Sequence, residues 1–229
     1  MKLKFRSISY SQGGEDLVLA KLLGNKPKGF FIDVGANDPI LLSNTYLFYK
    51  MGWRGLNFEP IPELASKIKI KRPEDIVINM AMSNFVGTTD FYAGKDEFNV
   101  NSSLNNSDLP RKSIIKVKVD KLENILDELK IQEIDFISID TEGTELDVLE
   151  GLNLDKYRPK FILAEYNTSS IGNDKLSPYL INRGYQPVFI NTWNIIFSEN
   201  FSKDSIKCYE PKKYSVKNIL IYLMQSIKR

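Results

Sequence analysis

The chain has 229 residues, of which 42% are hydrophobic, and its 31 basic and 29 acidic residues give a net charge of +2. This length is sufficient for one α/β domain with its own core. Because basic and acidic residues are nearly equal in number, we expect no nucleic-acid partner. The sequence contains no histidine and a single cysteine, which excludes Ser-His-Asp and Cys-His catalysis, an internal disulfide and a cysteine-based metal site.

No targeting or membrane-spanning segment stands out in the sequence. Residues 1–6 lack the apolar stretch of a secretory signal peptide, and no run of apolar residues reaches the length of a membrane span. We therefore expect a cytoplasmic protein.

Hydrophobic patterns predict strands and helices that alternate along most of the chain. The predicted strands are 29–34, 54–58, 75–80, 134–140, 159–164, 184–190 and 193–198, and the predicted helices are 14–24, 43–51, 62–70, 120–130, 144–151 and 175–183. This alternation indicates a mostly parallel sheet with helices on both faces. Because only Asn191-Thr192 separates the last two strands, we expect them to form an antiparallel hairpin at one edge.

Residues 81–119 interrupt the alternation. Two further strands are predicted over 88–93 and 113–119, and a long connection rich in Asn and Ser joins them. Such a connection is typical either of a functional loop, which here could fold over a cofactor cleft, or of a solvated hairpin tip. Its amides and hydroxyls, among them Ser102-Ser103, would suit the hydroxyl groups of a sugar better than a planar aromatic ligand.

The segment Asp33-Val34-Gly35-Ala36-Asn37 follows the first predicted strand with an acid and a tight glycine turn. Ligands of open α/β sheets bind beyond the carboxyl ends of the strands, so this turn is a candidate cofactor site. One glycine replaces the three of a G-x-G-x-x-G pattern, which favours a cofactor without a pyrophosphate, such as S-adenosylmethionine.

Glu59-Pro60 ends the second predicted strand in a similar way. A carboxylate at this point can accept hydrogen bonds from both ribose hydroxyls of an adenosine cofactor. The alternative is an ordinary solvated acid before a helix that begins after a proline.

Asp140 and Glu142 lie at the end of the fourth strand of the alternating series. Two neighbouring carboxylates in a cleft repel each other unless a sulfonium, a metal or a protonated acceptor lies between them. Acids are also common at helix N-termini, and this alternative explains Glu142 and Glu145 better than it explains Asp140.

Taken in order, these motifs resemble the FkbM-type methyltransferases, a branch of the S-adenosylmethionine-dependent enzymes. The segments that carry the resemblance are residues 11–17, 31–37, 43–45, 52–55, 58–60, 139–145 and 149–151. The resemblance implies a Rossmann-like class I methyltransferase fold, with a mostly parallel seven-stranded sheet, an antiparallel edge hairpin and a β-hairpin insertion after the third strand. One departure is Asp38-Pro39, which stands near the place where the family usually has a glycine.

The resemblance also implies the cofactor, S-adenosylmethionine, and a set of site residues. The predicted cofactor-binding residues are Asp33, Gly35, Ala36, Asn37, Glu59, Pro60, Ser83 and Asp140. Without histidine the catalytic base must come from another group, and Asp140, Glu142 and Glu165 are the candidates in that order. Ser102, Ser103 and Asn167 are predicted to bind the acceptor. The three catalytic candidates could also hold a divalent metal, although we favour a metal-independent reaction.

The resemblance, and more weakly the Asn- and Ser-rich connection, implies an O-methyltransferase that acts on a hydroxyl of a sugar or glycan-type acceptor. Two alternatives are a nucleotide- or nucleotide-sugar-dependent oxidoreductase on a similar fold and a non-catalytic cofactor-binding module. The missing glycines and histidine count against the first alternative, and the intact acids count against the second.

Three regions are predicted along the chain. Residues 1–28 form an N-terminal helical cap, residues 29–200 form the methyltransferase domain with an insertion at about 86–119, and residues 201–229 form a basic amphipathic extension. Residues 211–229 carry five basic and no acidic side chains, with apolar residues at helical spacing. Such a helix could lie on an anionic membrane surface at the inner face, or pack on its own domain or in a homodimer.

Overall fold

The structure is a computed structural model that describes residues 8–24, 26–94, 102–104, 111–166 and 174–200. The predictions made for Asn167 and for the extension 201–229 fall outside the described residues and stay predictions. Within the described part of the chain, no helix is both long enough and apolar enough to cross a membrane.

Ten strands and six helices follow one another along the described residues. In chain order they are α1 (Glu15–Leu22), β1 (Phe30–Val34), α2 (Tyr46–Lys50), β2 (Arg54–Phe58), α3 (Pro62–Lys71), β3 (Ile76–Ile78), β4 (Ala81–Met82), β5 (Gly87–Gly94), β6 (Arg111–Asp120), α4 (Leu122–Glu128), β7 (Phe136–Ile139), α5 (Glu145–Glu150), β8 (Phe161–Glu165), α6 (Leu176–Ile181), β9 (Gln186–Ile190) and β10 (Asn194–Ser198).

Seven of these strands form the main sheet in the order β3-β2-β1-β7-β8-β10-β9. The five strands from β3 to β8 are parallel, whereas β10 runs antiparallel to both β8 and β9. The Rossmann-like class I methyltransferase fold and its antiparallel edge hairpin are thereby confirmed. The strand order reverses between β1 and β7, which is where open α/β sheets bind their ligands.

The insertion after the third strand forms a second, three-stranded sheet in the order β4-β6-β5. The predicted hairpin is present, with β5 and β6 paired from Gly87↔Val119 to Gly94↔Arg111. Its apolar side packs against α3, where Phe91 and Val117 join a cluster with Ile61 and Leu64. The insertion therefore covers one side of the main sheet's carboxyl edge.

The centre of the main sheet is apolar on both faces. Ile32 and Ile137 contribute to the core on one face, and Phe31 and Phe136 contribute to the core on the other. All four side chains are fully buried, as expected for central parallel strands covered by helices on both sides. This packing fixes the carboxyl ends of β1 and β7, from which the site described next is built.

Candidate active site

A cavity of about 510 Å³ lies at the carboxyl ends of β1, β2, β7 and β8. This volume is in the range of small-molecule sites. Ten of the residues predicted from sequence line it, namely Asp33, Gly35, Ala36, Asn37, Glu59, Pro60, Ser102, Asp140, Glu142 and Glu165. Since the four strands are parallel, their C-terminal residues meet at one edge of the sheet although they lie far apart in sequence.

The glycine turn after β1 is shaped by a close approach to β7. Gly35 has φ 81°, and its N–H donates to the carbonyl of Phe58 at 3.0 Å. A Cβ atom at this position would lie 1.9 Å from the main-chain oxygen of Asp140. Only glycine therefore fits, and the turn presses directly against the residue that ends β7.

Glu59 is a buried carboxylate at the end of β2. Its Oε2 accepts the N–H of Asn37 and its Oε1 accepts the N–H of Ile61, both at 2.8 Å. Burial raises the pKa of Glu59 to about 7, although these two hydrogen bonds oppose the rise. Each oxygen keeps a lone pair with which it could accept a hydroxyl hydrogen from the cavity.

Asp33 lines the cavity and is part of a buried polar network. Its Oδ2 accepts the hydroxyl of Thr45 at 2.5 Å, and Thr45 in turn accepts Nη1 of Arg72 at 3.0 Å. Burial raises the pKa of Asp33, while the charge of Arg72 opposes that rise. The network fixes the orientation of this carboxylate, and its contact with the cofactor stays a prediction.

The side chains around this part of the cavity fit S-adenosylmethionine. Glu59 has a carboxylate that could accept hydrogen bonds from a ribose, and the buried Oδ1 of Asn37 has no hydrogen-bond partner among the described residues. An apolar wall beside them could cover the adenine ring, and it consists of Ile61, Leu64, Met80, Ala81, Met82 and Phe91. Polar acceptors on one side and apolar side chains on the other match the two halves of an adenosine.

Three carboxylates that line the same cavity form an acid cluster. Asp140 follows β7, Glu142 lies in the turn after it and Glu165 ends β8, and one oxygen from each lies within 4.8 Å of the others. The parallel register pairs Ile139 with Ala164, which places Asp140 beside Glu165. Glu142 reaches the cluster because its positive φ of 55° turns the chain back.

The electrostatic setting of the acid cluster favours bound protons. Asp140 lines the cavity and keeps surface that is open to solvent. Partial removal from water, together with the charge of Glu142, raises the pKa of Asp140. Removal from water and the charge of Asp140 likewise raise the pKa of Glu165, which also shares a hydrogen bond with Glu145. The cluster can therefore take up and release protons closer to neutral pH than an ordinary carboxylate does.

Glu145 plays the structural role that acids commonly have at a helix N-terminus. Its Oε1 accepts the N–H groups of Thr141 and Gly143, both at 3.0 Å. It therefore shapes the turn that presents Glu142, while the carboxylate of Glu142 itself joins the acid cluster.

Two predicted site residues, Ser83 and Ser103, do not line the cavity. The carbonyl of Ser83 would be only 2.1 Å from a Cβ at Gly151, so Ser83 is covered by the end of α5. The hydroxyl of Ser103 donates to the carbonyls of Thr141 at 3.1 Å and Glu142 at 3.0 Å. Ser103 thus ties the insertion to the turn of the acid cluster. The predicted roles of Ser83 in cofactor binding and of Ser103 in acceptor binding stay predictions. Ser102 does line the cavity, and its Oγ accepts the N–H of Gly94 at 2.7 Å.

Several cavity residues received no role from the sequence. They are Gln12, Leu41, Leu42, Asn44, Trp193 and Asn194. Gln12 belongs to the segment 11–17, for which no function was predicted. Trp193 is a large aromatic residue in a tight turn between two strands, where polar residues are more usual, and this was the signal that could have identified it.

No curated protein matches the sequence. Among solved structures, TrmK from M. capricolum in complex with S-adenosylhomocysteine is 14% identical with a TM-score of 0.48, and the alignment covers 96% of this chain and 85% of TrmK. A precorrin-6y C5,15-methyltransferase from Geobacter metallireducens is 11% identical with a TM-score of 0.47, covering 84% of this chain and 90% of that protein. The METTL16 methyltransferase domain is 16% identical with a TM-score of 0.45, covering 82% and 67% respectively.

The family model for the Methyltransferase FkbM domain matches residues 33–187. The match extends over more than half of the chain, from Asp33 at the end of β1 to the first residues of β9. It includes the glycine turn, Glu59 and all three members of the acid cluster. The chain therefore belongs to the FkbM methyltransferase family, and its cofactor is S-adenosylmethionine.

Proposed function

We propose that this methyltransferase transfers the methyl group to a hydroxyl of a sugar or glycan-type acceptor. The observation that carries the proposal is the acid cluster, whose three carboxylates lie within 4.8 Å of one another on the cavity wall. An alcohol is a weak nucleophile until its proton is removed, whereas an amine needs only to be neutral. A carboxylate with a raised pKa is therefore suited to a hydroxyl acceptor in particular.

S-adenosylmethionine supplies an electrophilic methyl group on a sulfonium. Within the protein, Glu59 would hold the ribose with Asn37 beside it, and Asp33 would bind the methionine portion. Asp140, which lies directly against the glycine turn, would accept the proton of the acceptor hydroxyl on a carboxylate oxygen. The family places the reacting methyl group near the end of this strand, which supports Asp140 as the base.

The other two acids would orient the acceptor and hold the transferred proton. Glu165 lies beside Asp140 and has a raised pKa of its own, so a proton can be shared between the two carboxyl groups. Charged acceptors form strong hydrogen bonds with hydroxyl donors, and a sugar offers several hydroxyls to such a cluster. If Asp140 instead only orients the cofactor, Glu165 takes the role of base.

The experiment that tests this proposal is methyl transfer from labelled S-adenosylmethionine to a panel of oligosaccharides and polysaccharides. We expect the wild type to label at least one glycan and Asp140→Asn to lose that labelling. Asp155→Asn is the matched control, because Asp155 is exposed and lies outside the cavity. Labelling of amines alone, or full activity of both Asp140→Asn and Glu165→Gln, would contradict the proposal.

A further inference from the structure

Glu15, at the start of α1, joins two parts of the chain that are 176 residues apart in sequence. Its side chain is fully buried. Its Oε1 accepts Nδ2 of Asn191 at 2.6 Å and Nδ2 of Asn194 at 2.8 Å, while its Oε2 accepts the N–H of Gly13 at 2.8 Å. This carboxylate therefore ties the segment that carries Gln12 to the turn between β9 and β10.

The same hydrogen bonds fix the backbone of Trp193. Oδ1 of Asn191 accepts the N–H of Trp193 at 2.9 Å and that of Asn194 at 2.7 Å. On its other side, the carbonyl of Trp193 accepts the N–H of Tyr166 at 2.6 Å. Because Tyr166 directly follows Glu165, Trp193 is held beside the acid cluster.

Gly13 leaves no room for a side chain in this arrangement. A Cβ atom there would lie 2.4 Å from Nδ2 of Asn191 and 2.7 Å from Oε1 of Glu15. Gly13 in the segment 11–17 is therefore explained by the contact between Glu15 and the distant turn.

Trp193 lines the cavity, yet 46% of its surface remains exposed. Leu41 and Leu42 line the same cavity and are 56% and 54% exposed. The other tryptophan, Trp53, is completely buried in the core. Three large apolar side chains with exposed surface and three carboxylates therefore line the same cavity, which gives it both apolar and polar surface.

A pyranose ring has the matching character, since its C–H groups form an apolar face and its hydroxyls project from its edge. An aromatic side chain can cover such a face, while carboxylates accept hydrogen bonds from the hydroxyls. We propose that Trp193 packs on the C–H face of a pyranose ring in the acceptor, and that Glu15 and Asn191 are positioning residues that hold Trp193 in place. This inference rests on the proposed sugar acceptor.

Glu15 is also coupled electrostatically to the acid cluster. Its negative charge is among the contributions that raise the pKa of Asp140. A change of Glu15 to a neutral residue of similar shape should therefore shift the pH dependence of turnover toward lower pH, which a purely structural contact would not do.

Fluorescence quenching by acrylamide tests the stacking directly. Because Trp53 is buried, the quenchable signal comes from Trp193, and Trp193→Phe should remove it. With the protein saturated with S-adenosylhomocysteine, methyl glycosides of glucose, galactose, mannose and N-acetylglucosamine are titrated, with glycerol as the control that has hydroxyls but no ring. We expect at least one glycoside to protect Trp193 saturably. Protection by none of them, or equal protection by glycerol, would overturn the inference.

Kinetics with a glycan that the wild type methylates provide the second test. We expect Trp193→Ala to raise the acceptor KM at least tenfold and Trp193→Phe to raise it less than threefold, both with an unchanged KM for S-adenosylmethionine. Glu15→Gln and Asn191→Ala should raise the acceptor KM, and Glu15→Gln should also lower the pH midpoint of turnover. Glu133→Gln, at an exposed position outside the cavity, is the control.

The two proposals fail in different ways. An unchanged acceptor KM in Trp193→Ala would overturn the stacking role while methylation of a glycan still stood. Absence of methyl transfer to every glycan by the wild type would overturn the proposed function, and the stacking role would fall with it.

Discussion

At the scale of single residues, burial changes what a carboxylate can do. Both oxygens of Glu59 are held by main-chain N–H groups, from Asn37 and Ile61, and no basic side chain neutralises its charge within the described structure. A buried acid of this kind has a high affinity for protons and for hydroxyl donors. The two predictions for Glu59 follow from this setting.

Replacing Glu59 by alanine should weaken the binding of S-adenosylhomocysteine. The loss of a carboxylate that accepts two ribose hydroxyls should cost about 1.5–3 kcal/mol, or roughly one to two decades in affinity. Isothermal titration calorimetry measures the change, with Glu63→Ala as the control because Glu63 is exposed on the neighbouring helix α3. Unchanged affinity in a folded Glu59→Ala protein would show that Glu59 does not contact the cofactor.

Cofactor affinity should also depend on pH through Glu59. If Glu59 binds the ribose as predicted, its ionised form accepts the ribose hydroxyls. Because the pKa of Glu59 in the protein without cofactor is about 7, affinity should be constant well above that pH and decrease below it. The limiting slope is about tenfold per pH unit for one proton. Affinity of the wild type measured from pH 8 to pH 5 tests this. Glu59→Gln should bind weakly at every pH and lose this dependence, and an equal slope in the variant would assign the dependence to another group.

The next prediction concerns the acid cluster as the group that removes the proton from the acceptor hydroxyl. Asp140→Asn keeps the shape of the side chain but removes the proton acceptor, so turnover should fall by roughly two to four decades. Cofactor affinity should change much less.

If Glu165→Gln loses turnover while Asp140→Asn retains it, the base is Glu165. If activity is lost with EDTA and returns with magnesium, Asp140 acts as a metal ligand instead.

At the scale of secondary-structure elements, the turn after β1 determines where β7 can end. Gly35→Ala would place a methyl group against the main-chain oxygen of Asp140, and the backbone cannot yield there without moving the acid cluster. We expect a loss of more than about 3 kcal/mol in unfolding free energy, beyond the strain of about 1 kcal/mol that a positive φ imposes on alanine. Chemical denaturation of the wild type and of Gly35→Ala measures this loss in unfolding free energy.

Gly52→Ala is the matched control for this prediction. Gly52 has a similar φ of 90°, but no atom lies within 4 Å of a Cβ at its position. The difference between the two variants therefore isolates the contact with Asp140. Equal destabilisation by both substitutions would show that the close approach to β7 is unimportant.

The elements of the main sheet were predictable because their signals are local. Strands such as β1 and β7 are mostly apolar, and an acid at or just after the last residue of each marks its carboxyl end. Strand β4 was missed because two residues carry no periodicity. Its neighbour Ser83 was assigned to the cofactor site, although the position of that residue depends on the packing of α5.

The remaining features of the site depend on tertiary contacts that no local pattern reveals. Ser103 was predicted to bind the acceptor, but its hydroxyl donates to carbonyls in the turn after β7, about 40 residues away. The segment that contains Glu15 could be recognised as a motif, yet its partner Asn191 lies near the other end of the domain. The role of Trp193 follows only from that contact.

At the scale of the whole molecule, the acid cluster should reduce stability as pH rises. The pKa of Glu165 is higher in the folded protein than in the unfolded chain, so the folded state binds more protons between these two values. Unfolding free energy should therefore fall from about pH 5 to about pH 8. Glu165→Gln should be more stable than the wild type by about 1–3 kcal/mol at about pH 8, and by less at about pH 5.

Thermal or urea unfolding at the two pH values measures this effect, with Glu133→Gln as the control for the loss of an acid outside the cavity. A Glu165→Gln protein that is less stable than the wild type at about pH 8 would show that the carboxylate is stabilised by its surroundings. The prediction assumes no bound cofactor, because a ligand that binds only the folded state would add its own contribution.

The most direct test of the account is the identity of the atom that receives the methyl group. The protein is incubated with S-adenosylmethionine labelled with carbon-13 in its methyl group and with a glycan that it modifies, and the product is examined by NMR. We predict a labelled methoxy carbon with a through-bond correlation to a proton of a sugar ring. A labelled methyl group on nitrogen or on carbon would contradict the assignment of the acid cluster as the base for a hydroxyl acceptor.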